Sequence, residues 1–143
     1  MRVLAGPTPA PRAAFVLDAD GLAKLARHDR RAREMARQAY VEEGASPVLP
    51  LIVVVQVLAG GTGRGAVDDI IATIIDRAGI DVDRAAEAAG LLQVTGTTDV
   101  VDALVAVEAL RRVPSIVLTS DPDDLRALLD ASPAGSRVEV WRV

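Results

Sequence analysis

The sequence predicts an α/β domain built on a parallel sheet with helices on both faces. Three observations predict it. Short apolar runs alternate with longer segments of helical periodicity, the order that a sheet joined by crossover helices requires. Half of the 143 residues are hydrophobic, yet only Phe15, Tyr40 and Trp141 are aromatic. The core is therefore aliphatic, which suits central strands and packed helices better than an aromatic-rich barrel. Aspartates also gather just after strand-like runs, where α/β sheets bind ligands. The length suits one domain, expected over 13–143 and preceded by a flexible Pro-rich arm over 1–12.

Residues 13–17 (AAFVL) form an apolar run that stops at Asp18, as a buried strand does. A helix is expected from about 21 to 43. Leu22, Leu25, Ala26, Asp29, Ala32, Ala36 and Ala39 share one mostly apolar face, the basic residues lie largely off it, and Gly44 ends it. Residues 47–50 suit a second strand. The segment 51–58 (LIVVVQVL) is ambiguous: its β-branched content favours a strand, its place between Pro50 and Gly60 a buried helix. Residues 60–65 (GGTGRG) form a turn without the Lys-Ser/Thr ending of a phosphate-binding P-loop. A helix running into a third strand is expected over 66–75, and helices over 81–93 and 100–112. Residues 115–119 (SIVLT) are a strand, 122–130 a short helix, and 137–143 (RVEVWRV) alternate as an edge strand.

Composition narrows the chemistry. There is no cysteine, one histidine (His28) and one lysine (Lys24), against fifteen arginines. Disulfides, thiolate zinc sites, cysteine nucleophiles and multi-histidine centres are excluded. A resident metal must be a hard cation on oxygen ligands. The net charge of −4 argues against broad, non-specific nucleic-acid binding but leaves room for a local basic strip. The most apolar stretch, 47–61, is too short to cross a bilayer, and the first residues lack a secretory apolar core. A cytoplasmic location with no membrane partner is expected.

The candidate site is acidic. Asp18 and Asp20 follow the first strand, Asp99 and Asp102 open the helix over 100–112, and Asp121, Asp123 and Asp124 follow SIVLT. Each group has a plain explanation in helix capping and the helix dipole. Brought together, the carboxylates would repel and raise one another's pKa values, and a divalent cation is the simplest compensation.

Four segments carry a family resemblance: FVLDADGLAKLAR, VLPLIVVVQVLAGG, TTDVVDALVAVEAL and IVLTSDPDDLRALL, in that order. They resemble the successive motifs of PIN-domain proteins, especially VapC-like toxin ribonucleases, over nearly the whole chain. The resemblance implies a three-layer α/β/α fold and an endoribonuclease dependent on Mg²⁺ or Mn²⁺. It matches Asp18, Asp102 and Asp121 to metal-binding, catalytic positions, and Asp99 and Asp124 to nearby acidic ones. Asp20 stands where the family commonly has a small polar residue. The resemblance makes 51–58 a helix, in which Gln56 occupies the place of a family glutamate. Glutamine can coordinate through its carbonyl oxygen but brings no charge; the plainer reading is a core amide bonded to its neighbours. Thr119 and Ser120 either bond a carboxylate or phosphate or cap a strand end. Arg27, Arg30 and Arg31 either guide an RNA backbone or face solvent. The partners implied are an RNA substrate, an antitoxin protein and a second copy of the chain, with the isoleucines over 70–75 one candidate contact.

Two other functions compete. Gln56 favours an inactive PIN module that binds RNA or protein without cutting. FVLDADGL also resembles the opening of haloacid-dehalogenase-like phosphatases, but that family needs a lysine far downstream. The same shortage of lysine counts against a receiver domain.

Overall fold

Five strands, β1 (Ala14–Leu17), β2 (Ser46–Pro50), β3 (Asp76–Ala78), β4 (Ser115–Thr119) and β5 (Val138–Arg142), pair in the order β3-β2-β1-β4-β5. Every pairing is parallel. This computed structural model describes residues 11–143, so the expected arm over 1–12 lies outside it except for Pro11 and Arg12. The central strands β1 and β4 are buried along their whole length, as their apolar centres require. Edge strand β5 is only partly covered, with Val138 buried, Val140 and Trp141 half-buried and Glu139 and Arg142 exposed.

The connections carry helices α1 (Ala19–Ala26), α2 (Arg30–Arg37), α3 (Leu51–Ala59), α4 (Arg64–Ile71), α5 (Val82–Thr95), α6 (Val100–Arg111) and α7 (Pro122–Asp130). Right-handed crossovers put α1–α4 on one face of the sheet and α5–α7 on the other. The ambiguous segment 51–58 is helical. Among the described residues no single helix is long and apolar enough to cross a membrane.

Two expected elements are corrected. The helix expected over 21–43 breaks at His28, which takes a positive φ of 59°. Asp29, the one polar residue on the expected apolar face, then caps a new helix by accepting the Ala32 N–H at 2.9 Å. A π-helical turn, Gln38–Glu42, leads to Gly44 at φ +70°. The third strand begins later than expected. Helix α4 ends at Ile71, and β3 spans only three residues, in register with Val48–Pro50. Pairing with β2, a long-range event, chose those residues over the β-branched ones before them. Ile74 is buried and Ile75 is 98% exposed.

Helix α6 is buried on nearly all sides, with Ala103–Ala109 inaccessible. The one charge within that buried stretch is Glu108, which is 2% exposed. Its carboxylate accepts from Arg84 on α5 and Arg112 just beyond α6; Arg112 also reaches Asp76 on β3 at 3.2 Å. One buried carboxylate thus clamps α5, α6 and β3 together, and it is tolerable because two guanidiniums satisfy it. Glu108→Ala leaves both arginines facing a half-dry gap. We expect it to cost about 2–4 kcal/mol of unfolding free energy in urea titrations, with Arg84 and Arg112 still partly solvated. A loss under about 0.5 kcal/mol would refute the clamp.

Candidate active site

The strand order places β1 and β4 side by side, yet their connections leave toward opposite faces of the sheet. Such a reversal opens a crevice at the carboxyl ends of the two strands. A cleft of about 370 Å³ lies there, and Asp18, Asp20, Gln56, Asp99, Asp102 and Asp121 are among its lining residues.

Local structure explains how each carboxylate gets there. Asp18 continues the ladder of β1, its N–H donating to the Leu118 carbonyl at 3.1 Å. Its side chain is 6% exposed. One carboxylate oxygen accepts from the Ala19 N–H at 2.6 Å, at the start of α1. The other accepts from the buried Thr119 hydroxyl at 2.6 Å. The Thr119 oxygen in turn accepts the Asp121 N–H at 3.0 Å. Gly21 lets α1 lie this close: a Cβ there would meet the Leu118 carbonyl at 2.9 Å.

The capping explanation holds for some aspartates and fails for another. Asp99 is the N-cap of α6, accepting the Asp102 N–H at 2.9 Å. Asp121 stands at the N-cap of α7, with Pro122 behind it, but makes no capping hydrogen bond with its side chain. Its carboxylate lines the cleft and neighbours that of Asp124, which does not line it. Asp20 accepts from the Ser120 hydroxyl across the cleft mouth.

These placements strain the charges. Burial pushes the Asp102 carboxyl up to about 7, helped by the negative charges of Asp18 and Asp99. Burial also raises Asp18, against the hydrogen bonds from Thr119 and Ala19 that lower it. Asp124 is raised by its hydrogen bond with Asp121 and by that neighbour's charge. Arg27 is the only basic residue among the lining side chains. The donors suit a hard cation: all are oxygens, and two of them are carboxylates that ionise reluctantly beside each other. Among the described residues, no three Asp, Glu, His or Cys side chains converge into a ready-made metal cage. Mg²⁺ takes one or two direct carboxylates and fills the remaining positions with water, so Asp18 and Asp102 fit it as a pair.

The other expected residues divide. Gln56 is exposed on α3, not a core amide, and among the described residues its side chain has no hydrogen-bond partner. Arg30 and Arg31 lie outside the cleft, in a groove beside β5. Lys24 is turned away from the cleft, donating to the Val143 carbonyl at 2.8 Å, so it cannot neutralise a bound phosphate as a phosphatase reading needs. Thr62 lines the cleft and was not foreseen. Its one sequence signal was a polar residue within a glycine turn directly after α3.

No protein-family model and no curated protein matches the sequence. Among solved structures, the fold is similar to a chain of VapBC2 from Rickettsia felis, a structure bound to a DNA fragment from their promoter. The TM-score is 0.63 at 11% identity, covering 91% of this chain and 98% of that one. At that identity the likeness is one of fold, and it bears out the PIN-like α/β/α architecture expected from the sequence.

The raised Asp102 pKa has a signed consequence. In the unfolded chain this carboxyl returns to its ordinary value of 3.8. The folded state holds the proton more tightly, so this group favours folding at low pH and loses that contribution as pH rises through about 7. In EDTA, Asp102→Asn is expected to melt roughly 3–5 °C above the parent at pH 8 and level with it at pH 4. The gap reflects on the order of 1–2 kcal/mol, discounted for solvent at the cleft. Equal melting temperatures at pH 8 would contradict the strained carboxylate.

Proposed function

We propose that this chain is a metal-dependent endoribonuclease of the toxin–antitoxin type, acting in the cytoplasm on single-stranded or looped RNA. The observation that carries the proposal is the juxtaposition of Asp18 and Asp102, each held above its ordinary pKa, in a cleft at the reversal of strand order. Charge strain of this kind is costly without a cation and useful with one. The fold likeness to a VapBC2 chain supports the same reading.

A divalent ion, Mg²⁺ or Mn²⁺, would supply Lewis-acid polarisation of the scissile phosphodiester and the positive charge that keeps both carboxylates ionised. Asp18 and Asp102 would hold it. Thr119 fixes the rotamer of Asp18 and, through the Asp121 backbone, the turn that carries a third carboxylate to the cleft wall. The Asp121 carboxylate, which makes no capping bond, would orient an attacking water from the cleft wall. Asp99 anchors the first turn of α6 and so the position of Asp102. Arg27 meets the phosphate charge from the α1 side. An antitoxin covering the acidic cleft and a homodimer are the partners this reading carries with it.

A second reading has an observation of its own. Gln56 is exposed at the cleft wall where a fourth carboxylate would add charge, which favours a module that binds RNA and cuts it slowly or not at all.

Cleavage of labelled single-stranded RNA with Mg²⁺ or Mn²⁺ separates the two. Asp102→Asn and Asp121→Asn should each lower the rate by roughly 10²-fold or more, the scale of removing one preorganised charge-stabilising group. Gln56→Glu should tighten Mn²⁺ binding measured by calorimetry and raise the rate. Absence of cleavage with either metal, in a protein that still binds RNA, would overturn the nuclease reading in favour of the second.

A further inference from the structure

The three aromatic residues have very different surroundings. Phe15 is core and Tyr40 is exposed on the turn after α2. Trp141 sits half-buried on β5, where the sheet runs out beyond the cover of α1 and α2. On that side Leu17, Leu118 and Trp141 form one row across β1, β4 and β5, so the indole faces α2. A groove of about 640 Å³ separates the two elements, lined by Trp141, Met35, Arg30, Arg31 and Arg142, with Gln38 and Glu34 at the side.

Its charge is the reverse of the cleft's. The stretch from Lys24 to Arg37 contains six basic residues against two acids, in a chain whose net charge is −4. Asp29 is spent on capping α2. Glu34 is paired with Arg37 at 2.6 Å, and Glu139, beside Trp141, with Arg12 at 2.5 Å. Among the described residues, Arg27, Arg30, Arg33 and Arg142 have no acidic partner. The Trp141 N–H donates to Glu139 at 3.1 Å, which holds the plane of the ring. The break at His28 turns α2 so that Arg30 and Arg31 face β5, while Arg27, three residues earlier, lines the acidic cleft. A basic path therefore leads from the cleft mouth to an oriented indole.

We propose that this groove binds single-stranded RNA, with a base stacked on Trp141 and flanking phosphates held by Arg30, Arg31 and Arg142. The choice of ligand rests on the nuclease reading; the groove itself does not. An aromatic face ringed by unpaired guanidiniums is what single-strand binding needs, because stacking requires an open base and arginine meets phosphate. A duplex hides its base faces and does not fit. The strand is thereby held on one side of the cleft, and the cleft acts on what protrudes from the groove.

Trp141 is the only tryptophan, so the unmodified protein reports on its own groove. In EDTA, where binding is separated from cutting, a single-stranded 12-nucleotide oligoadenylate should quench Trp141 emission, and a duplex of equal length should not. Arg30 and Arg142 are exposed, so the double variant Arg30→Gln, Arg142→Gln keeps the fold. It should bind about tenfold more weakly and lower the salt slope by about 1.4, at ~0.7 per phosphate contact. RNA binding with unchanged emission, or a double variant that binds like the parent, overturns the groove. Quenching by polyglutamate but not by RNA would assign it to an acidic protein partner and overturn it too. The two readings fail separately: metal-dependent cleavage without quenching removes only the groove, and quenching without cleavage removes only the nuclease.

Discussion

The hydrogen bond from the Thr119 hydroxyl to the Asp18 carboxylate ties together the ends of the two central strands at the point where their connections part. Everything at the cleft depends on that tie. It is fully buried and made to an ionisable acceptor, which places it at about 1.5–3 kcal/mol, the upper range for hydrogen bonds. It also sets geometry in both directions. Asp18 is fixed at the start of α1, and the same hydroxyl oxygen receives the Asp121 backbone at the start of α7. Two helices on opposite faces of the sheet are thus indexed to one side chain.

Around that tie the fold concentrates like charges without compensation from the chain. Elsewhere it is careful to compensate. The buried Glu108 has two arginines, and the surface carboxylates Asp68, Glu87 and Asp130 each pair with an arginine. The cleft departs from this habit, with five aspartates and one arginine in its lining. A structural ion network would be neutralised from within, whereas a binding site leaves its charge for the ligand. Gln56 moderates the same tension: a neutral amide at that wall leaves one fewer negative charge for a cation to offset.

The molecule also separates its charges in space. Acidic side chains collect at the end of β1 and β4, and unpaired arginines collect one helix turn away, along α2 and the β5 edge. On the proposed function, an RNA strand would meet both, repelled by the bare cleft and attracted by its flank, so the arginines and any bound cation would act in the same direction on a polyanion.

Much of this was legible in the sequence for reasons of local chemistry. Short apolar runs ending near aspartates marked β1 and β4, because a strand buried on both faces is mostly apolar and admits a polar residue only where it finds a hydrogen-bond partner, as Ser115 and Thr119 do. Asp99 could be read as a cap, because capping is a contact within one turn. The acidic positions were visible as strand exits. Only the tertiary structure decided the rest. It selected Asp76–Ala78 over the isoleucines as a strand, broke the long basic helix at His28, and left Asp121 uncapped. It buried Glu108 among arginines distant in sequence, exposed Gln56, and set Trp141 against α2. Each of these depends on what a residue meets across the fold, and periodicity along the chain carries no information about partners that are brought together only when the sheet assembles.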